Sequence, residues 1–467
     1  MSYQRIRRMA VVLVVVAPLV AVVTGPSAGA APASPVQAAW GTFAQAVATA
    51  TATAQAQPNA VGPQNQANAA GFINELAQFD LDNQLIKLDP NHPVLFRNPD
   101  PLAVPGVEPP NPSGIWNPDN VNYIAVISGS GTYELHGVRG NSVDLEFQAE
   151  TGFPGDNSVA PATATFALPQ LVVNSDGTYT LTIGGPPIQR NWLPTVPQTS
   201  LISIRETFND WSRAVPDQLT LVRTDQTGPP LVTPSDAQLA GAVNAAAAQL
   251  IEEGKYWDGY WTSLLGLFKP NVVNKAAPTT NGLPNQISSL DHFHLAPGQA
   301  LVITVAPDAN AGYQGLEVAD DWGQTLPYAF HQSTLNATQA YLGSDGMYHF
   351  VVSSTDPGVP NWIDTQGRTD GFVFLRWQHI TGPFTSADSP TGGLVAISDL
   401  ASALPAGTPR VTSAQMVQTL LTRDIGVARR IVLSSNPAAP VLTDYLGLIE
   451  GEVGPGALHA VYPPNAP

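Results

Sequence analysis

Two histidines one residue apart, His292 and His294, are the first groups in this chain that suggest chemistry. On a strand, side chains alternate between faces, so this spacing puts both imidazoles on one side. Such a pair can ligate a metal, given a third ligand. A cupin-like arrangement wants an acid soon after, but Gln299 stands there, so Glu317, Asp320, Asp321 or His331 would have to complete the set. The plainer reading is two loop histidines before a strand. Glu317 and the Asp320–Asp321 pair, beside Trp322, suggest a second chemistry. Glycoside hydrolysis uses two carboxyl groups about 5–10 Å apart across a sugar. Solvated loop acids are the plainer reading of these residues. Serine chemistry lacks a Gly-x-Ser-x-Gly elbow, and neither a zinc-protease helix motif nor a phosphate-binding loop is present. Trp257, Tyr260 and Trp261 form an aromatic group that could stack on sugar rings or grip a lipid chain. Their helical spacing favours burial against a sheet.

The elements that must position these residues fall into a clear order. Residues 36–56 are Ala-rich and suit a helix, whereas 55–70 are Gln/Asn/Pro-rich and read as a flexible linker. Phe72, Leu76 and Phe79 recur at helical spacing. Residues 89–118 hold nine prolines, which exclude helix and central strand and predict an extended arm. From Asn120, short β-like runs follow one another at 123–127, 132–138, 143–148, 163–167, 170–173, 179–183, 201–206 and 219–222. A helix is predicted from a Thr233 N-cap to Gly254, and a second over Trp257–Phe268. A second β series comprises 300–305, 314–318, 348–353 and 372–377. The last predicted element is a helix over 412–433, with Thr412 and Gln415 as a capping box and Val417, Leu420 and Leu421 as its apolar stripe.

The two β series echo each other. Asp176-Gly177, Asn191-Trp192 and Arg205 in the first match Asp345-Gly346, Asn361-Trp362 and Arg376 in the second. The Asp-Gly to Asn-Trp intervals are 15 and 16 residues, and the Trp to Arg intervals 13 and 14. Asp-Gly is a tight-turn signal because glycine accepts φ > 0. Asn can cap a turn while the tryptophan ring is buried. Three matches at near-equal spacing predict two related β modules. Within the second copy Asn361, Trp362 and Arg376 are binding candidates together with Trp322, although the echo favours a structural role.

The start of the chain addresses location. Arg5, Arg7 and Arg8 precede an apolar run over Met9–Val23, and Ala28-Gly29-Ala30 is a small-residue cleavage site. This order reads as a secretory signal peptide over residues 1–30. The apolar run is too short for about 30 Å of hydrocarbon, so the mature chain is expected to carry no transmembrane segment. The export route, general or twin-arginine, stays open. The signal holds three arginines and no acid, so the rest carries 16 basic and 36 acidic residues, a net charge of −20. Such a surface repels phosphate backbones, which argues against nucleic acid as a partner. The absence of cysteine removes disulfides, thiolate metal sites and a cysteine nucleophile.

Residues 295–378 resemble the bacterial domain-of-unknown-function family 1214. The matching text is Ala311-Gly312-Tyr313, Trp322, Leu335-Asn336, Asp345-Gly346, Asp356-Pro357-Gly358, Asn361-Trp362-Ile363-Asp364-Thr365, Gly367, Gly371 and Phe374-Leu375-Arg376-Trp377. Asn117-Pro118-Asp119-Asn120-Val121-Asn122-Tyr123 and Phe208-Asn209-Asp210-Trp211 look like segments that accompany this domain in longer relatives. The resemblance implies a mainly β, jelly-roll-like module and supplies no activity. The chain departs from it at Gly367-Arg368-Thr369, where relatives tend to have Gly-His-Arg.

Taken together, these features predict a mainly β protein with α-helical flanks (α+β), its two β-sandwich or jelly-roll-like modules joined by a helical segment. The expected organisation is a signal at 1–30, a helical and Pro-rich region at 31–118, a first β module at 119–230, a helical connector at 231–270, a second β module at 285–382 and a helical region at 410–450. The expected function is that of a secreted, envelope-associated protein that binds glycan or lipid or assembles with itself, without catalysis and without a cofactor. The alternatives are a polysaccharide hydrolase using Glu317, Asp320 or Asp321, and a metal enzyme built on His292 and His294.

Overall fold

A computed structural model of the chain describes residues 33–89, 91–97, 114–152, 162–226, 233–279, 283 and 285–435. The signal peptide expected at residues 1–30, most of the proline-rich stretch and residues beyond 435 lie outside the described residues. The architecture is mainly β with helical flanks, as predicted.

The first module contains β1 (Leu95–Arg97), β2 (Asn120–Val126), β3 (Thr132–Val138), β4 (Asp144–Glu150), β5 (Ala162–Ala167), β6 (Thr178–Gly184), β7 (Trp192–Leu193), β8 (Leu201–Thr207) and β9 (Gln218–Arg223). The second contains β10 (Ala277–Pro278), β11 (Ile287–His294), β12 (Gln299–Val305), β13 (Ala311–Ala319), β14 (Thr334–Asn336), β15 (Tyr348–Ser353), β16 (Trp362–Asp364), β17 (Asp370–Ile380) and β18 (Thr391–Ala396). Each module is a five-stranded sheet and a four-stranded sheet. The strand orders are β1-β2-β8-β4-β5 and β7-β6-β3-β9 in the first, and β10-β11-β17-β13-β14 and β16-β15-β12-β18 in the second. Adding nine to each strand number converts one topology into the other. The parallel pair β6–β7 has its counterpart in β15–β16, and every other pair is antiparallel.

The echoed residues do the same work in both copies. Trp192 Nε1 donates to Gly184 O at 2.9 Å, and Trp362 Nε1 to Ser353 O at 3.0 Å. Asn191 clasps the amide and carbonyl of Val172 at 2.9 and 2.8 Å, while Asn361 clasps those of Tyr341 at 2.7 and 2.8 Å. Gly177 and Gly346 both take φ near +80° (84° and 78°) in their turns. Alternate residues of each five-stranded sheet fill a core. Val121, Phe147 and Ile204 lie in the first, and Leu316, Leu375 and Trp377 in the second.

Helices α1 (Pro35–Gln55), α2 (Gly62–Ile86) and α3 (Asp236–Leu267) pack together through Ala50, Ala54, Phe72, Ile73, Leu76 and Leu250. A short α4 (Leu400–Ala403) and α5 (Ser413–Ser435) follow the second module.

Several expectations are corrected. The predicted linker at 55–70 contains the start of α2. Its amides close the corner, with Gln66 Nε2 donating to Gln55 O (2.9 Å) and Ala60 O (2.7 Å). The two predicted helices around Gly254 are one, and this glycine faces α1 and α2 with room for ordinary side-chain contact. A Cβ there would lie 3.5 Å from Ile73 and 3.8 Å from Ala50. Ser235, not Thr233, caps α3 and forms a reciprocal box with Gln238. Residues 170–173 form no strand, since a 3-10 turn over Leu168–Gln170 takes in the first of them. In α5 the Thr412–Gln415 box forms, but Val417 and Leu421 are exposed and the buried face carries Met416, Arg423, Val427 and Arg430.

Candidate functional site

Residues from the turn before β2, the loop after β8, and strands β13 and β14 converge on one buried polar junction. Asn117 caps the turn into β2 by accepting from the Asp119 amide at 2.9 Å. The fully buried Asp119 carboxylate accepts from Tyr313 (2.7 Å), Asn336 (2.7 Å) and the Trp211 indole (2.5 Å). Burial raises the pKa of Asp119, while Tyr313, Arg430 and the other donors pull it back. The Trp211 ring lies between two guanidiniums of α5, Arg423 at 4.5 Å and Arg430 at 4.6 Å. This cluster ties both modules and α5 together.

Glu317 extends the same junction. Arg376 lies diagonally across on β17, opposite Gly315, and forms an ion pair with Glu317, the two side chains only 7% and 3% exposed. Arg376 also donates to Ile115 O at 2.7 Å and covers the Phe374 ring at 4.1 Å. Burial raises the Glu317 pKa well above the usual carboxylate range despite Arg376.

Asp320 and Asp321 sit in the loop after β13, under the helical layer. Asp320 accepts from the amides of Trp322 (2.9 Å) and Gln324 (3.0 Å), so it closes its own turn. Asp321 takes Asn65 Nδ2 at 2.9 Å on its carboxylate and Asn59 Nδ2 at 3.0 Å on its carbonyl. Burial raises both carboxyls, Asp320 to about 6 and Asp321 to about 7, with Asp320 adding to the shift of Asp321. Glu75 of α2, bonded to Gln324 at 3.0 Å, is raised well above its ordinary value by burial. Trp322 is wholly buried, stacked on Phe72 at 5.6 Å. It forms no wall that a sugar can reach.

His292 and His294 do share one face of β11. Both address Asp370, His294 Nδ1 at 2.5 Å and His292 Nε2 at 3.9 Å. Desolvation pushes Asp370 up, but hydrogen bonds from His292, His294 and Thr369 outweigh it and bring the carboxyl down to about 2. Among the described residues, no three His, Asp or Glu side chains are grouped to hold a metal ion. His331 pairs with Asp364 at 2.9 Å, and Gln299 caps the turn at Ala296. Asn361 and Trp362 serve the loop closure described above.

The aromatic group of α3 is split between core and surface. Trp261 is buried against Phe372 (5.4 Å) and over Gly323, whose φ of +64° and missing Cβ leave room for the indole. Trp257 stacks on Trp261 at 5.9 Å and is half-buried. Tyr256 and Tyr260 lie parallel, 6.2 Å apart and 15° between planes, and Tyr260 is 41% exposed. Leu267, two turns on, is 71% exposed.

One polar surface escaped the sequence reading. Asp144, Glu146, Gln148 and Glu150 alternate along β4 with core residues, a pattern that reads as a solvated face, yet all four are buried. Burial raises Glu146 to about 7, with Asp144 adding to the shift and Arg205 opposing it.

No protein-family profile and no curated protein matches the sequence. The structure is similar to that of an uncharacterised protein from Burkholderia cenocepacia, with a TM-score of 0.69 and 23% identity over 77% of this chain and 97% of that one. This is a likeness of fold. A Vibrio parahaemolyticus protein aligns over 70% of this chain and 96% of its own, at 9% identity and a TM-score of 0.39. No helix among the described residues is long and apolar enough to cross a membrane.

Proposed function

We propose that the chain is an exported, non-catalytic protein of the cell envelope that binds glycan. The observation that carries this reading is the half-exposed aromatic face of α3. Trp261 anchors it, and the parallel Tyr256 and Tyr260 rings offer flat apolar surfaces beside hydroxyls. The acids that hydrolysis would require are engaged in turns and ion pairs within the protein. The signal pattern at residues 1–30 supports export, and the resemblance to family 1214 supports a β scaffold without an assigned reaction.

Co-sedimentation of the purified protein with insoluble cell-wall polysaccharide and with peptidoglycan sacculi tests this reading. The expected result is retention in the pellet, with Tyr256→Ala and Tyr260→Ala losing most of it while the circular dichroism spectrum is unchanged. Failure to sediment with either material refutes glycan binding. Release of sugars that disappears in Asp321→Asn would establish the hydrolase instead. Export is tested by sequencing the N-terminus of protein recovered from the medium, expected to start near Ala31.

A further inference from the structure

The lysines of this chain are confined. There are four in a protein of net charge −17, and three of them are Lys255, Lys269 and Lys275. Between Gly254 and Leu290 the sequence holds one acid, Asp258, and it is buried at 2% exposure. The three lysines are exposed. Lys255 pairs with Glu252 at 3.0 Å, whereas Lys269 and Lys275 meet no acid among the described residues. All three border the aromatic face of α3. Lys255 directly precedes Tyr256. Lys269 follows Phe268, which ends α3 and packs on the cluster of Trp261 and Phe372. Beyond it, the Asn271 amide donates to His292 O at 2.7 Å and Asn274 Nδ2 to Leu290 O at 2.8 Å. Residues 271–274 thus run along β11 and bring Lys275 to the edge of the same apolar cluster, to which Leu290 belongs. The acids at this end of α3 are engaged, Asp291 by the Asn274 amide at 2.6 Å and Asp370 by His294 at 2.5 Å.

We propose that this face binds an acidic polysaccharide, its sugar rings lying on Tyr256 and Tyr260 and its carboxylate or phosphate groups held by Lys269 and Lys275. The inference names the class of glycan and rests on the glycan reading above. The parallel tyrosine rings offer apolar surface with hydroxyls at the rim, which suits a sugar ring. An ammonium on a flexible stem has three donors and no fixed plane, so it can follow anionic groups along a polymer. The remainder of the chain is strongly acidic and repels such a polymer, so the lysine-bordered face is where the two charges complement each other. A bilayer fits less well. Insertion scales with apolar area, and on this side Gly259, Ser263 and Gly266 are exposed, with Leu267 and, past the helix end, Val272 as the large exposed aliphatic side chains.

The test is calorimetry and affinity electrophoresis on the full protein with two pairs of polymers. Polygalacturonate is compared with its methyl ester, and phosphomannan with dephosphorylated mannan, so that each pair differs in charge alone. Polyphosphate and vesicles of phosphatidylglycerol and phosphatidylcholine complete the set. At least one acidic polysaccharide is expected to bind at least tenfold more tightly than its neutral counterpart and more tightly than polyphosphate, and to weaken as salt rises. Lys269→Gln combined with Lys275→Gln should lower that affinity about fivefold to tenfold, the loss expected for two exposed charge pairs, with an unaltered unfolding midpoint. Tyr260→Ala should lower it as well. The proposal is overturned if neither acidic polysaccharide binds, if the neutral counterparts bind equally, if polyphosphate binds as tightly, or if the protein binds the vesicles instead. Retention on sacculi that needs Tyr260 but not the two lysines would overturn this inference alone and leave the glycan reading standing. Failure to sediment with either wall material, together with no binding to any of the polysaccharides, would remove both.

Discussion

The paired arginines allow a comparison within one molecule. In Arg376→Gln the Glu317 carboxylate stays buried and loses its ion pair, the Ile115 carbonyl loses its donor at 2.7 Å, and the Phe374 ring loses its cover. Breaking one side of a buried ion pair costs about 3–5 kcal/mol, because a charge is left without compensation. Glu317 can escape by binding a proton, and burial has already raised its pKa well above the unfolded value. A carboxyl with a raised folded pKa loses stability as pH rises, since the folded state then holds a proton that the unfolded state has released. Removing Arg376 takes away the one charge that opposes the raised pKa, so the gap between the parent and Arg376→Gln should widen as pH rises. Arg205→Gln breaks no hydrogen bond to a described residue at a half-exposed position, so it should cost only about 0–1 kcal/mol. Urea unfolding followed by tryptophan emission, at several pH values, reads both. Equal losses in the two variants, or a gap for Arg376→Gln that narrows with rising pH, would refute the reasoning.

Two further outcomes concern the contact between the helical layer and the second module. Trp322→Ala removes a wholly buried ring stacked on Phe72 and should cost about 3–5 kcal/mol, measured by thermal unfolding. Limited proteolysis should then cut first in the corner around Asn59. The same contact holds Glu75, Asp320 and Asp321, all with raised pKa values through burial, so stability should fall as pH rises from about 4 to about 7. Asp370, lowered to about 2 by His292, His294 and Thr369, acts with the opposite sign and only in strong acid. Asp321→Asn should flatten the decline, and an unchanged pH profile of the thermal midpoint would refute the assignment.

Much of the β architecture was legible because it depends on local chemistry. The Asp-Gly turns, the alternating runs and the Asn-Trp closures are written in neighbouring residues, and they form as predicted in both copies. What stayed hidden depends on partners far away in sequence. Ile287–His294 did not read as a strand, since Ser289 and Asp291 point inward, where they bond each other and the Asn274 backbone. The buried face of α5 is arginine-bearing, and only the position of Trp211 explains it. Glu317 read as a solvated loop acid, with catalysis as the alternative, because the sequence does not reveal that Arg376 pairs with it diagonally across the sheet. His292 and His294 were correctly placed on one face, but the partner waiting there is Asp370, itself one strand away.

The contact between the modules gives the duplication a physical meaning. Thr207 and Gln378 each lie two residues beyond the echoed arginine, and their side chains meet at 3.0 Å. Each also bonds the residue at the start of the neighbouring strand, Thr207 to Asn120 at 2.8 Å and Gln378 to Gln286 at 2.8 Å. Contact between equivalent positions, with equivalent flanking bonds, is what a two-fold axis produces at an isologous interface. The Thr207–Gln378 contact thus has the form of an isologous one. In a true dimer every site occurs twice, and a substitution changes both copies. Fusion removes that constraint, so equivalent positions can take different partners. Arg376, bonded to Glu317 and to the Ile115 carbonyl, and Arg205, which donates to no described residue, are the two outcomes. The segment around Ile115 accounts for the difference, because one carbonyl from outside the repeat can reach only one of the two arginines.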